Sequence, residues 1–253
     1  MIPFLKKEIT EQFRRKRVML LGILFTAFAI LGVATAKLTP KIMEMFADEL
    51  AKSGMVYDIT ESTVMDAWMQ FFKNAAIPLI VFIILWSGSF TGEYQKHTLI
   101  PLVTKGLSRT SVFFSKMITA ALVWTVGYAV YFAVTYAYAE FYWGNSGVKH
   151  MFLAVFLYWL YGMWYLAILG LFSSFADTTM QVLLGVGAVF FTVTFLEFIP
   201  KLPAKLPTAL ANGLSLMQEN AKPSDFIIPI VTVTVCIVIC LAGGAALIRR
   251  KKL

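Results

Sequence analysis

MFLAVFLYWLYGMWYLAILGLF, residues 151–172, runs for 22 residues without a charged side chain. A helix rising about 1.5 Å per residue crosses a hydrocarbon core of roughly 30 Å in about 20 residues. Inside lipid a lone segment satisfies its own backbone only as a helix, so this stretch reads as a membrane span. Five windows of the same character flank it, at 18–36, 75–92, 117–139, 181–199 and 226–248. The expected fold class is an all-α membrane protein with six transmembrane helices.

Composition agrees. Of 253 residues, 59% are apolar and only 14% charged, where a soluble domain carries about 25% charged residues. A disulfide scaffold is excluded because Cys236 and Cys240 are the only cysteines and share the last apolar window. Two thiols with no histidine or carboxylate beside them make no zinc site and read as buried side chains.

All 22 Lys and Arg lie outside the six windows, so their distribution sets the orientation. The first seventeen residues, the loop between spans two and three, and the residues after span six hold fourteen of them; the opposite side holds eight. Six acids between Glu44 and Asp66 offset the lysines of the first outer loop. Both termini are expected in the cytoplasm. The net charge of +8 is explained by anionic inner-leaflet lipid and calls for no nucleic acid. A cleaved signal peptide ending at Ala34-Thr35-Ala36 is the rival reading of the start, but its apolar stretch is too long for a usual signal core.

Residues 1–17 place Ile2, Leu5, Ile9 and Phe13 on one helical face with basic residues around it. This predicts an amphipathic helix lying in the inner interface, ahead of a membrane domain over 18–253. In the first outer loop, Ile42, Met45, Phe46, Glu49 and Leu50 predict a short amphipathic helix with a break at Gly54. Pro200, Pro203 and Pro207 break the fifth loop, 200–225, which reads equally as a re-entrant pair of short helices or as a surface loop.

The chemistry of catalysis is missing. There is no G-x-x-x-x-G-K-[ST] to cradle a nucleotide, no H-E-x-x-H and no G-x-S-x-G. His97 and His150 fall on opposite sides of the membrane. Glu197 lies within a turn of a span's end, and no ionisable group sits at mid-membrane, which argues against a proton-coupled carrier. Any ATP used must be bound by another chain.

Small residues four apart in span three (Ala121, Thr125, Ala129, Ala133, Ala137) suit close helix packing. Tyr138, Tyr142 and Trp143 read as an interfacial belt. Tyr158, Tyr161 and Tyr165 lie deeper and share one face of span four. They read either as packing or as the lining of a cavity for an amphipathic substrate, the phenol giving an apolar body with a polar tip.

The loop from Gly92 to Lys116 carries GEYQKHTLIPLVTKGLSR and then the approach to span three. Tyr94, Thr98 and Leu102 share a helical face, Gly106 suits a C-cap and Ser108 an N-cap. The pattern predicts a helix over 94–104 lying across the inner face, a turn, and a long helix feeding span three. An apolar helix placed there wants a protein partner.

With Glu93, Thr98, Leu99, Ser108, Arg109 and Lys116 in this order, the loop resembles the first cytoplasmic loop of type-two ATP-binding-cassette (ABC) exporter permeases. His97 stands where that family usually has glycine. The layout of the whole chain is similar to theirs. The resemblance implies a permease subunit of the bacterial cytoplasmic membrane that is not itself an enzyme. Two separate ABC ATPase subunits would supply ATP and Mg, and a second copy or paralogue would complete the permease. It also implies ATPase docking through Glu93, Tyr94, Thr98, Leu99, Leu102 and Arg109, with the fourth loop around Asp177 a smaller contact. The expected cargo is an amphipathic substrate, a membrane-active peptide ahead of a hydrophobic drug or lipid. A scaffold or accessory subunit with no partner ATPase is the alternative. Arg109 is expected to anchor the turn, with Glu93 or a lipid phosphate as its partner.

Overall fold

The computed structural model describes residues 2–46, 61–95, 106, 108–200 and 202–251. Among them the fold is all-helical, and six segments are long and apolar enough to cross a membrane. Helix α1 (Ile2–Arg14) turns into α2 (Arg17–Met45) through Lys16, whose φ of 57° makes the corner. The second span is broken into α3 (Val64–Asn74) and α4 (Ala76–Gln95). Pro78 explains the break, since it cannot donate to the carbonyl four residues back. The remaining spans are α5 (Arg109–Tyr142), α6 (Met151–Phe175), α7 (Thr179–Leu196) and, after a short α8 (Leu214–Met217), α9 (Ile227–Arg250).

Two helices outrun their apolar windows. At about 1.5 Å per residue, the 34 residues of α5 reach roughly 50 Å, well beyond a bilayer core. Its first two turns are the long entry helix the sequence predicts, capped by Ser108, whose Oγ accepts from the Ser111 amide at 3.1 Å. Helix α2 likewise continues through Pro40 to Met45, so Ile42 and Met45 end a span and do not form a separate loop helix. Glu49, Leu50 and Gly54 lie outside the described residues.

Helix α6 is the axis of the bundle. It is buried along most of its length and packs most extensively against α9. An aromatic column crosses it: Phe25, Trp124, Tyr128 and Tyr158 follow one another at ring separations of 5.8, 5.5 and 6.0 Å. Close approach requires glycine here. A Cβ on Gly162 would lie 2.1 Å from the Trp124 ring. The small-residue stripe of span three does not serve this packing. Thr125, Ala129, Ala133 and Ala137 are exposed, while the aromatic face of α5 turns inward.

The fifth loop is a folded cap. Turns at Pro203–Lys205 and Pro207–Asn212 lead into α8, and Leu210 and Leu216 are fully buried. Gly213 lies on the Ala154 backbone, where a Cβ would come within 2.7 Å of the carbonyl oxygen. Leu210 and Leu216 thus anchor the loop to the bundle, while Pro203–Lys205 and residues 218–220 stay exposed.

Candidate functional site

The start of α1, the end of α4, the start of α5, the α6–α7 turn and the end of α9 meet at one end of the bundle. This basic end is built around a buried charge network. The Lys116 ammonium, 2% exposed, lies 3.0 Å from Glu8 Oε2 and 3.0 Å from Glu93 Oε2, and donates to the Ser89 carbonyl at 3.1 Å. Lys7 approaches from the rim, 3.1 Å from Glu93 Oε1 and 2.8 Å from Glu11, while Arg15 also pairs with Glu11. Two lysines and an arginine thus neutralise three carboxylates, which answers the cost of burying charge without partners.

The apolar face read for α1 stays mostly off the protein, and one sequence reading, the partner of Arg109, is corrected. The face of α1 against the protein is Phe4, Glu8 and Gln12 at four-residue spacing; Leu5 and Ile9 are only half-buried and Phe13 is exposed. Phe13 in particular is left for the surroundings. Glu93 is not the partner of Arg109, because Lys7 and Lys116 hold it.

Opposing influences set the outer members of the network. Burial pushes the Glu11 carboxyl up, but the Lys7 hydrogen bond and the charges of Lys7, Arg15 and Lys116 bring it below the ordinary value. Burial pulls Lys7 down, but the Glu11 hydrogen bond and the charges of Glu93 and Glu8 leave it above the ordinary value. Glu11 therefore stabilises the docked α1 fully above the normal carboxylate pKa and loses that effect as pH falls through its lowered one. Lys7 contributes fully below the normal lysine pKa and loses it only as pH rises through its raised one. Docking of α1 should be constant near neutrality and weaken in acid. Hydrogen exchange of the α1 amides, compared at about pH 7 and about pH 4 after correction for intrinsic rates, will show reduced protection at the lower value.

Three of the sequence-predicted docking residues converge beside this network on one residue, Lys251. The Lys251 ammonium sits 4.0 Å from the centre of the Tyr94 ring and 3.1 Å from Asp177 Oδ1, and donates to the Ala176 carbonyl. Arg109 donates to the carbonyls of Lys251 and Arg249, and Arg249 Nε donates to Thr110 Oγ1 at 2.9 Å. Arg109 thus joins the start of α5 to the end of α9. Thr98, Leu99 and Leu102 lie outside the described residues, while Gly106 has the positive φ of 90° that a helix stop requires. Sequence reading passed over Lys251 because a basic residue after a last span already satisfies the positive-inside bias. Glu8 was missed because its buried partner Lys116 lies 108 residues away, beyond any local pattern.

A second feature lies within the apolar region. Tyr158, Tyr161 and Tyr165 line a cavity of about 250 Å³ between α4, α6 and α7. The other walls include Leu79, Ile83, Leu183 and Val186, and half-exposed Ile80, Ile84 and Phe190 form its mouth on the outer face of the bundle. The Tyr161 and Tyr165 hydroxyls are 3.2 Å apart, a polar pair in an apolar wall. These tyrosines both border the cavity and pack in the core, since Tyr158 also stacks on Tyr128. Between the cavity and the basic end, Thr91 and Thr179 join α4 to α7 through a 2.9 Å hydroxyl pair. The arrangement suits a molecule that enters from the lipid with an apolar part and a hydrogen-bonding group.

A comparison with curated proteins finds no match. The profile of the family described as ABC-2 family transporter protein matches residues 2–245. That span takes in five membrane helices whole, the sixth as far as Ala245, and the buried charge network of the basic end. The chain is a multi-pass membrane protein of the ABC-2 transporter family, the transmembrane component that associates with ABC ATPase subunits.

Proposed function

We propose that this subunit moves an amphipathic substrate out of a bacterial cell, with its basic end in the cytoplasm. Two ATPase subunits dock on that end and a second copy or paralogue completes the pathway. ATP and Mg belong to the ATPase subunits. Contact is made by the loop 92–109, including Tyr94, Thr98, Leu99, Leu102 and Arg109, and by the turn at Asp177. Glu93, buried beneath α1, acts by holding the end of α4 in place. The observation that carries the substrate reading is the tyrosine-lined cavity with its mouth on the lipid-facing surface.

Its size narrows the cargo. Pockets that enclose a whole small ligand run to roughly 300–1,000 Å³. A cavity of about 250 Å³ takes part of a molecule. A membrane-active peptide would seat one or two apolar side chains there and keep the rest at the bilayer edge. A lipid or drug would seat an apolar segment in the same way.

The test uses the permease with its co-purifying ATPase in liposomes. Amphipathic helical peptides are expected to stimulate ATP turnover. A Cβ on Gly187, at the cavity wall, meets no atom within 4 Å, so Gly187→Trp fills the space without displacing backbone. This variant should raise the peptide concentration for half-maximal stimulation at least about tenfold, a difference of about 1.4 kcal/mol. Stimulation by a lipid or drug but not by peptides would overturn the peptide assignment. A Gly187→Trp protein with unchanged response would overturn the site.

A further inference from the structure

Lys251 belongs to none of the loops so far assigned to ATPase docking, yet it touches both. Its side chain, 8% exposed, is enclosed by the Tyr94 ring at the end of α4 and by Asp177 and the Ala176 carbonyl in the α6–α7 turn. Its own carbonyl is held by Arg109 at the start of α5. One residue therefore connects three elements that are far apart in sequence.

Two features make this more than a surface ion pair. The ammonium is nearly removed from water and has three kinds of partner: a carboxylate, a carbonyl and an aromatic face. Asp177 itself is 80% exposed, so the hold comes mainly from the enclosed ammonium on the ring and the carbonyl and less from the carboxylate. The backbone that carries it is also fixed, because Ile248 is buried and Gly244 packs on the Phe113 ring, within 2.7 Å of where a Cβ would stand. By contrast, the α6–α7 turn has few anchors on α4: the Thr91–Thr179 pair and a 3.4 Å bond from Gln95 to the Asp177 carbonyl.

We infer that Lys251 is a positioning residue that joins Tyr94 at the end of α4, Arg109 at the start of α5 and the 176–178 turn into one rigid platform for the ATPase. This rests on the docking reading above and adds to it a residue and a mechanism. With Lys251 in place the ATPase meets both loops in a fixed relation. Without it, binding must first order them, and affinity falls by the fraction of molecules in which they are aligned.

Two measurements separate the device from the reading it rests on. The first needs no ATPase. Spin labels at exposed Thr10 and Met180, in a Cys236→Ser/Cys240→Ser background, report the distance from the anchored α1 to the turn. The parent protein should give one narrow distance, Lys251→Ala a broadened or shifted one, and Lys251→Arg the narrow one again. An unchanged distribution in Lys251→Ala would overturn the proposal. The second titrates the co-purifying ATPase onto the permease. Lys251→Ala should weaken binding at least about tenfold, and Lys251→Arg, which keeps the charge and the ring contact, should retain most of it. Unchanged binding by Lys251→Ala would overturn the positioning role. A parent protein that binds no ATPase would instead overturn the docking reading, and the spin-label result would stand.

Discussion

Lys116→Met is expected to cost the protein about 3–5 kcal/mol, the penalty for removing one partner from a buried ion pair. Methionine matches the lysine stem in length, so packing is retained and only charge is lost. Glu8 and Glu93, each below 10% exposed, would then face one another with Lys7 as the cation supplied from the rim. The triple variant Lys116→Met/Glu8→Gln/Glu93→Gln removes the uncompensated charge along with the pair. It should recover much of the loss, because neutral replacements of a buried network are often tolerated. Thermal unfolding in detergent and cleavage at the Lys16 corner measure both. A shift equivalent to under 1 kcal/mol for the single variant would mean that the network is solvated.

Gly162→Leu is expected to abolish the folded protein. Its Cβ would stand 2.1 Å from a Trp124 ring that is fully buried, stacked on Tyr128 and tied through Nε1 to the Trp159 carbonyl at 3.2 Å. Moving the ring would break both that stacking and that hydrogen bond. Overpacking a well-filled core typically costs about 1–3 kcal/mol and occasionally more, and so short a contact on a fully buried ring belongs with the exceptions. Gly187→Ala is the matched control, since its Cβ meets open space. Size-exclusion profiles should show a monodisperse control and aggregated Gly162→Leu; a monodisperse Gly162→Leu would contradict the packing described for α6.

The spans were legible because lipid imposes one rule, a run of apolar residues long enough to cross, and residues 151–172 obey it alone. Ser108 was legible as a cap because capping is a contact three residues long. Where the reading fell short, the deciding contacts are distant in sequence. Apolar periodicity marks Ile9 and Phe13 as the interfacial face of α1, but it says nothing of the face that meets the protein, where Glu8 is buried against Lys116 and Lys7. No count of apolar residues finds that. Likewise Arg109 needed an acceptor, and the nearest acid in sequence, Glu93, was the natural choice; the fold instead brings carbonyls from the end of α9. The tyrosines of α6 were placed on one face by spacing alone. That this face borders a cavity depends on how far α4 and α7 stand apart, which only the packing decides.

The account rests most on the claim that the basic end is where the ATPase binds. A photo-crosslinking residue at Arg250, exposed at that end, and one at Glu219, exposed on the opposite cap, test it directly in membranes. A covalent adduct with a Walker-motif protein from position 250 and none from position 219 is the predicted result. An adduct from position 219, or none from either position while the permease remains folded, would contradict it.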